Sequence, residues 1–143
     1  RSLVIILDTN ILSESLRPAP ETQVLDWLAR QPANLLFLTA ITEAEILYGI
    51  SILGSGRRRD ELAEAAAAMF AEDFRGRILG FDTGAAPAYA AIASERRRAG
   101  RPISQFDCQI AAIAKAHGAA LATRNTRDFE ACGIELIDPW QGG

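Results

Sequence analysis

The chain has 143 residues, 49% hydrophobic and 23% charged, a balance that suits one ordinary domain and excludes disordered, collagen-like and fibrous chains. Its 15 basic and 18 acidic residues leave a formal net charge of −3, so the molecule as a whole does not gather nucleic acid by blanket attraction. Two distant cysteines, Cys108 and Cys132, and the single His117 exclude a disulfide framework, a Cys-x-x-Cys knuckle and a multi-histidine zinc site, which leaves carboxylates to carry any chemistry.

The apolar run 3–7 is far shorter than the roughly 20 residues a membrane-spanning helix needs, and the sequence reads as a soluble cytoplasmic protein with no membrane attachment. Arg1 in place of Met reads as a trimmed or renumbered start. Residues 4–7, Val-Ile-Ile-Leu, predict a strand covered on both faces, ending on Asp8. After Pro18 and Pro20, residues 21–30 put Val24, Leu25 and Leu28 on one face of an amphipathic helix. A second short strand is expected at 35–38. A helix apolar on most sides, hence buried, is expected at 42–53, ended by Gly54-Ser55-Gly56. Leu62, Ala65, Ala66, Met69 and Phe70 lie at helical spacing within 61–74, and 78–81 reads as a strand. Residues 82–99 read as a helix disturbed at Pro87, 105–117 as a helix, 119–123 as a small-residue strand and 135–137 as a last strand. Strands alternate with helices throughout, which predicts a single α/β layer domain with a mainly parallel sheet. The two cysteines read as free, buried thiols, and His117 as an ordinary cation in the last turn of its helix.

Three acids occupy costly positions. Asp8 ends a buried strand; Glu45 shares a helical face with Ile41, Tyr48 and Ile52; Asp107 heads the stripe Ile110, Ala111, Ala114. A carboxylate against an apolar layer must be paired, hydrogen-bonded or bound to a cation. In a parallel sheet, ligand groups gather beyond the C-terminal strand ends, where Asp8, Asn125 and Asp128 fall. An oxygen-only set favours Mg²⁺ or Mn²⁺ and suits phosphodiester hydrolysis. A plainer reading competes: Thr42 with Glu45, and Ser104 with Asp107, both have the capping-box spacing.

Five ordered pieces carry a resemblance: Leu7-Asp8-Thr9-Asn10, the run 42–49 (Thr-Glu-Ala-Glu-Ile-Leu-Tyr-Gly), Asp107 with 110–114, the run 123–129 (Thr-Arg-Asn-Thr-Arg-Asp-Phe), and Asp138-Pro139-Trp140. Together they resemble the PIN-domain ribonucleases, and within them the VapC and FitB group of toxin–antitoxin toxins, over residues 3–140. The resemblance implies an α/β/α sandwich and an RNA-hydrolysing site dependent on Mg²⁺ or Mn²⁺, in which a metal-activated water attacks the phosphodiester. It implies that Asp8, Glu45 and Asp107 are the metal-site carboxylates, braced by Thr9, Asn10 and Thr123. Where the family commonly has a fourth acid stands Asn125, an amide that orients or coordinates without charge, with Asp128 three residues on. Asp128 either supplies the missing charge or caps its turn.

The resemblance further implies a homodimer, a small cognate antitoxin that blocks the site with an arginine, and a higher toxin–antitoxin assembly. The helix over 42–53 and the alanine-rich helix after it are candidate surfaces for either partner. RNA phosphates need cations on the rim of an acidic pocket, and Arg124 and Arg127 are the best placed. The triple-arginine runs 57–59 and 96–98 read as solvated helix ends or loops. Two rival readings keep the residues but change the role: a catalytically idle PIN-like module that binds RNA or a protein, and an aspartyl-phosphate phosphatase. The second requires an aspartate two residues after Asp8, where Asn10 stands.

Overall fold

The computed structural model describes residues 4–141; Arg1 and Leu3, on which the reading of the start and of the first apolar run partly rests, lie outside the described residues. Five strands, β1 (Ile5–Leu7), β2 (Leu36–Thr39), β3 (Ile78–Leu79), β4 (Ala120–Ala122) and β5 (Leu136–Ile137), form one sheet. All its pairings are parallel, in the order β3-β2-β1-β4-β5. The chain therefore winds outward from β1 through β2 and β3, then returns to the other side of β1 for β4 and β5. The order reverses between β1 and β4, and there the strand ends leave a crevice between diverging crossovers.

Strand pleating divides the core in two. Ile5, Leu7, Leu36, Leu38, Ala120 and Ala122 face a layer built from α1 (Thr9–Ser15), α2 (Thr22–Arg30), α3 (Ala40–Ser51) and α4 (Arg57–Ala68). Ile6 and Leu121 face the opposite layer, α5 (Ala86–Arg98) and α6 (Gln105–Ala116). The fold is thus the expected three-layer α/β/α sandwich. Ile6, Leu7, Leu38 and Leu121 are fully enclosed, and each such side chain stabilises the fold by about 2 kcal/mol.

Five readings of the sequence are corrected. No helix is delimited at 9–15, where the sequence offers only Asn10 as a cap for a helix after the first strand; α1 forms there, short and polar on one face, with Asp8 and not Asn10 as its N-cap. The segment 42–53 is not a buried helix: α3 buries only Thr42, Ile46 and Ile50, while Leu47, Tyr48, Ile52 and Leu53 face outward, Tyr48 at 66% exposure. Pro87 disturbs nothing, because α5 starts at Ala86 and proline is at home in a first turn, where no N–H partner is lost. Residues 57–59 open α4 instead of lying outside a helix that begins at 61, and Met69–Asp73 continue it as a π-helical turn. Arg96 is no solvated helix end. It is 5% exposed and its guanidinium donates to the carbonyls of Arg101, Asp128 and Glu130 at 2.7, 3.0 and 3.1 Å.

Both cysteines are free and buried, and burial pushes the Cys108 thiol up to about 11, too high for a thiolate nucleophile near neutral pH. Among the described residues no helix is long and apolar enough to cross a membrane.

Candidate active site

The reversal point between β1 and β4 is occupied by polar side chains tied to one another across the fold. Asp8, 6% exposed, follows β1 and accepts from the Thr9 N–H at 2.8 Å, the Thr123 hydroxyl at 2.8 Å and the Asn10 amide at 3.2 Å. Thr123 follows β4, so this bond joins positions 115 residues apart. Asn10 in turn donates to Thr123 Oγ1 and accepts from the Arg124 N–H, both at 3.2 Å, which locks the start of α1 to the end of β4. Asn125 donates its backbone N–H to Thr123 Oγ1 at 3.1 Å.

A chain of hydroxyls sets the second carboxylate. Thr39, not Thr42, is the N-cap of α3: its Oγ1 accepts from the Thr42 N–H at 3.1 Å, so Glu45 lies beyond the capping position and the capping-box reading of Thr42 with Glu45 is wrong. Thr42 Oγ1 lies 3.2 Å from Thr9 Oγ1, and the Thr9 hydroxyl donates to Glu45 Oε1 at 2.6 Å. For the third acid the capping half holds, since Ser104 Oγ accepts from the Asp107 N–H at 3.2 Å at the start of α6.

Asp8, Thr9, Asn10, Glu45, Asp107 and Asn125 line a single hollow of about 470 Å³. Burial pushes the Asp8 carboxyl above its ordinary value, with Glu45 adding to the rise and the three hydrogen bonds opposing it. Asp107, half-buried, is likewise raised by burial first, then by Asp8 and Asp128, while Ser104 and Arg96 pull it down. Mutual repulsion of this kind is relieved by a cation. Among the described residues no three acids stand close enough to hold an ion directly between them, which falls short of the metal site of Asp8, Glu45 and Asp107 that the resemblance implies. The all-oxygen donor set still fits a hydrated Mg²⁺ or Mn²⁺, because Mg²⁺ keeps several waters and takes only one or two carboxylates.

Of the other expected site residues, Arg124 lines the hollow, its guanidinium carbon 4.8 Å from the Trp140 ring centre. Arg127 and Asp128 are exposed on the 3-10 turn Thr126–Phe129, outside its walls. Sequence reasoning overlooked Ser13, Glu14 and Arg17, which also line it. They stand three, four and seven positions after Asn10, the spacing of one helical face, with Arg17 just past the end of α1, and that spacing was the available signal.

The PIN domain profile matches residues 5–134. The plasmid stability protein StbB of Pseudomonas syringae pv. tomato is 41% identical over 138 residues, 96% of this chain and 99% of the relative. The VapC ribonuclease Y4jK of Sinorhizobium fredii is 38% identical with the same coverage, and the toxin FitB of Neisseria gonorrhoeae 39% identical over 137 residues, again 96% and 99%. A chain of the crystal structure of FitAcB from Neisseria gonorrhoeae superposes with a TM-score of 0.91 at 39% identity, covering 96% of this chain and 99% of that one.

Proposed function

Because this chain belongs to the PIN-domain family, we infer that it is a divalent-metal-dependent endoribonuclease, the toxin of a toxin–antitoxin pair. The observation that carries this reading is the meeting of Asp8, Glu45 and Asp107, from three separate segments, in one hollow at the reversal of strand order. The divalent cation, Mg²⁺ or Mn²⁺, supplies the activated water and offsets charge on the phosphate.

Every other part falls to the chain itself. Asp8, held by three donors, and Glu45, held by the Thr9 hydroxyl, present carboxylate oxygens in fixed directions and, with Asp107, would hold the hydrated ion in part through its waters. Thr9, Asn10 and Thr123 do the holding. Asn125, at the edge of the hollow, orients water or substrate through its amide. Arg124 meets a phosphate of the RNA backbone. The cytoplasm, where such an enzyme finds its RNA, is the proposed setting.

Partners are a second copy and a small antitoxin. Ile41, Ala44, Tyr48 and Phe106 line an apolar hollow of about 660 Å³ that shares Thr9 and Glu45 with the acidic one. A partner segment laid on Tyr48 and Phe106 is therefore within reach of the acids, and an arginine on it neutralises them.

The deciding experiment incubates structured RNA with purified protein and Mg²⁺ or Mn²⁺, beside EDTA and beside Asp8→Asn. Cleavage that EDTA abolishes and Asp8→Asn lowers at least about a hundredfold supports the proposal, since about 3 kcal/mol of charge stabilisation is lost. Equal activity in all three samples means a contaminant. Absent cleavage with RNA or partner binding intact establishes an idle binding module, and a phosphoaspartate trapped at Asp8 a phosphatase.

A further inference from the structure

Four carboxylates, Asp8, Glu14, Glu45 and Asp107, line the hollow and repel the phosphodiester it is meant to cut, so attraction must come from cations elsewhere on its wall. We infer that Arg17 and Arg124 form a two-cation subsite for RNA backbone phosphate on that wall, with Glu14 and Trp140 as positioning residues; the inference rests on the ribonuclease reading.

Glu14 is 4% exposed, and both its oxygens are taken: Oε1 accepts from Arg17 Nη1 at 3.2 Å and Oε2 from the Glu21 N–H at 2.9 Å. It is therefore not a spare acid of the metal site. The Glu21 N–H and Arg17 hold its carboxyl below the ordinary range, and Arg124 adds to this, so Glu14 stays ionised beside Arg17. Arg17 commits one nitrogen to Glu14 while its side chain remains 62% exposed, which leaves further N–H donors of the guanidinium free for a ligand. Arg124 is fixed at both ends, by its N–H on Asn10 Oδ1 and by its guanidinium over the Trp140 ring. That guanidinium donates no hydrogen bond among the described residues. Both arginines line the acidic hollow. Two guanidinium forks held in advance suit the oxygens of a phosphodiester and lose little freedom on binding.

Binding is measured on metal-free protein in EDTA, by fluorescence anisotropy of a short labelled 2′-O-methyl oligouridine over a salt series, with the uncharged methylphosphonate oligomer for comparison. Arg17→Gln and Arg124→Gln are each expected to weaken the charged oligomer several-fold at low salt and to lower the salt slope by about 0.7, the loss of one single-strand phosphate contact. Arg30→Gln, an equal change of charge at the end of α2, sets the baseline. The sign of the Glu14→Gln effect is decisive. Removing a negative charge tightens binding if only net charge matters, whereas loss of the positioning carboxylate weakens it, and adding Arg17→Gln to that variant then costs less than it does alone. Trp140→Phe keeps a ring beneath Arg124 and is expected to bind nearly as the parent, with Trp140→Ala weaker.

Slopes for Arg17→Gln and Arg124→Gln equal to that of Arg30→Gln, equal affinity for the methylphosphonate, or tighter binding by Glu14→Gln would overturn the subsite. Any of these beside cleavage that still needs Asp8 leaves the nuclease reading standing. The expected binding pattern without divalent-dependent cleavage supports the subsite and removes the nuclease.

Discussion

Asp107 carries its charge at a cost. Burial and the neighbouring Asp8 raise its carboxyl above the ordinary 3.8, so the folded chain holds this proton more tightly than the unfolded one. Stability from the group is therefore complete below the ordinary carboxylate range and lost as pH rises through the raised native value. Metal-free Asp107→Asn is expected to melt higher than the parent near neutral pH, with the gap closing as the pH falls below the carboxylate range. Added Mg²⁺ should raise the melting temperature of the parent and hardly that of the variant. A variant less stable than the parent without metal would sink this account of the hollow. Arg96 argues in the opposite direction: three carbonyls lose their donor in Arg96→Met, and a cost of about 3 kcal/mol in denaturant unfolding is expected, against under about 0.5 kcal/mol for a surface arginine. In the sequence it is one of three identical letters. Its spacing of four from Ile92, which is also buried, was the clue that set it apart from Arg97 and Arg98.

Among the elements, α3 was the one whose period was legible and whose buried face was not. Leucine, isoleucine and tyrosine lie on most of its sides, so the pattern did not say which third would meet the core. Helix α1 was hidden for another reason: seven residues, four of them Asn, Ser, Glu and Ser, capped by an aspartate that reads first as the end of a strand. Thr39 joins the two helices to the site, since its hydroxyl caps α3 and lies 3.4 Å from Thr42, which leads through Thr9 to Glu45. Thr39→Ala should cost about 1 kcal/mol of stability as a lost cap and also slow RNA cleavage, with Thr39→Ser restoring both. An unchanged rate would mean that Glu45 keeps its place without the hydroxyl chain. On the outer face, Ile52 is 65% exposed, and Tyr48→Glu with Ile52→Glu should abolish partner docking in gel filtration while the unfolding midpoint stays within about 0.5 kcal/mol of the parent.

For the molecule as a whole, alternating strand and helix patterns were enough to predict a parallel α/β sandwich, because strands covered on both faces read as continuous apolar runs. Strand order was not legible, since periodicity says which segments are strands and nothing about their neighbours. Yet the order puts the ends of β1 and β4 side by side and brings Asp8 to Thr123. The carboxylates stood out singly in the sequence; the hollow they share with Arg17 and Arg124 exists only through that order. The most direct measurement of the central claim is anomalous diffraction from crystals soaked in Mn²⁺. The account requires a Mn²⁺ peak bounded by Asp8, Glu45 and Asp107, lost in Asp8→Asn. A hollow without the ion at saturating Mn²⁺, or an ion held elsewhere and indifferent to that substitution, would contradict it.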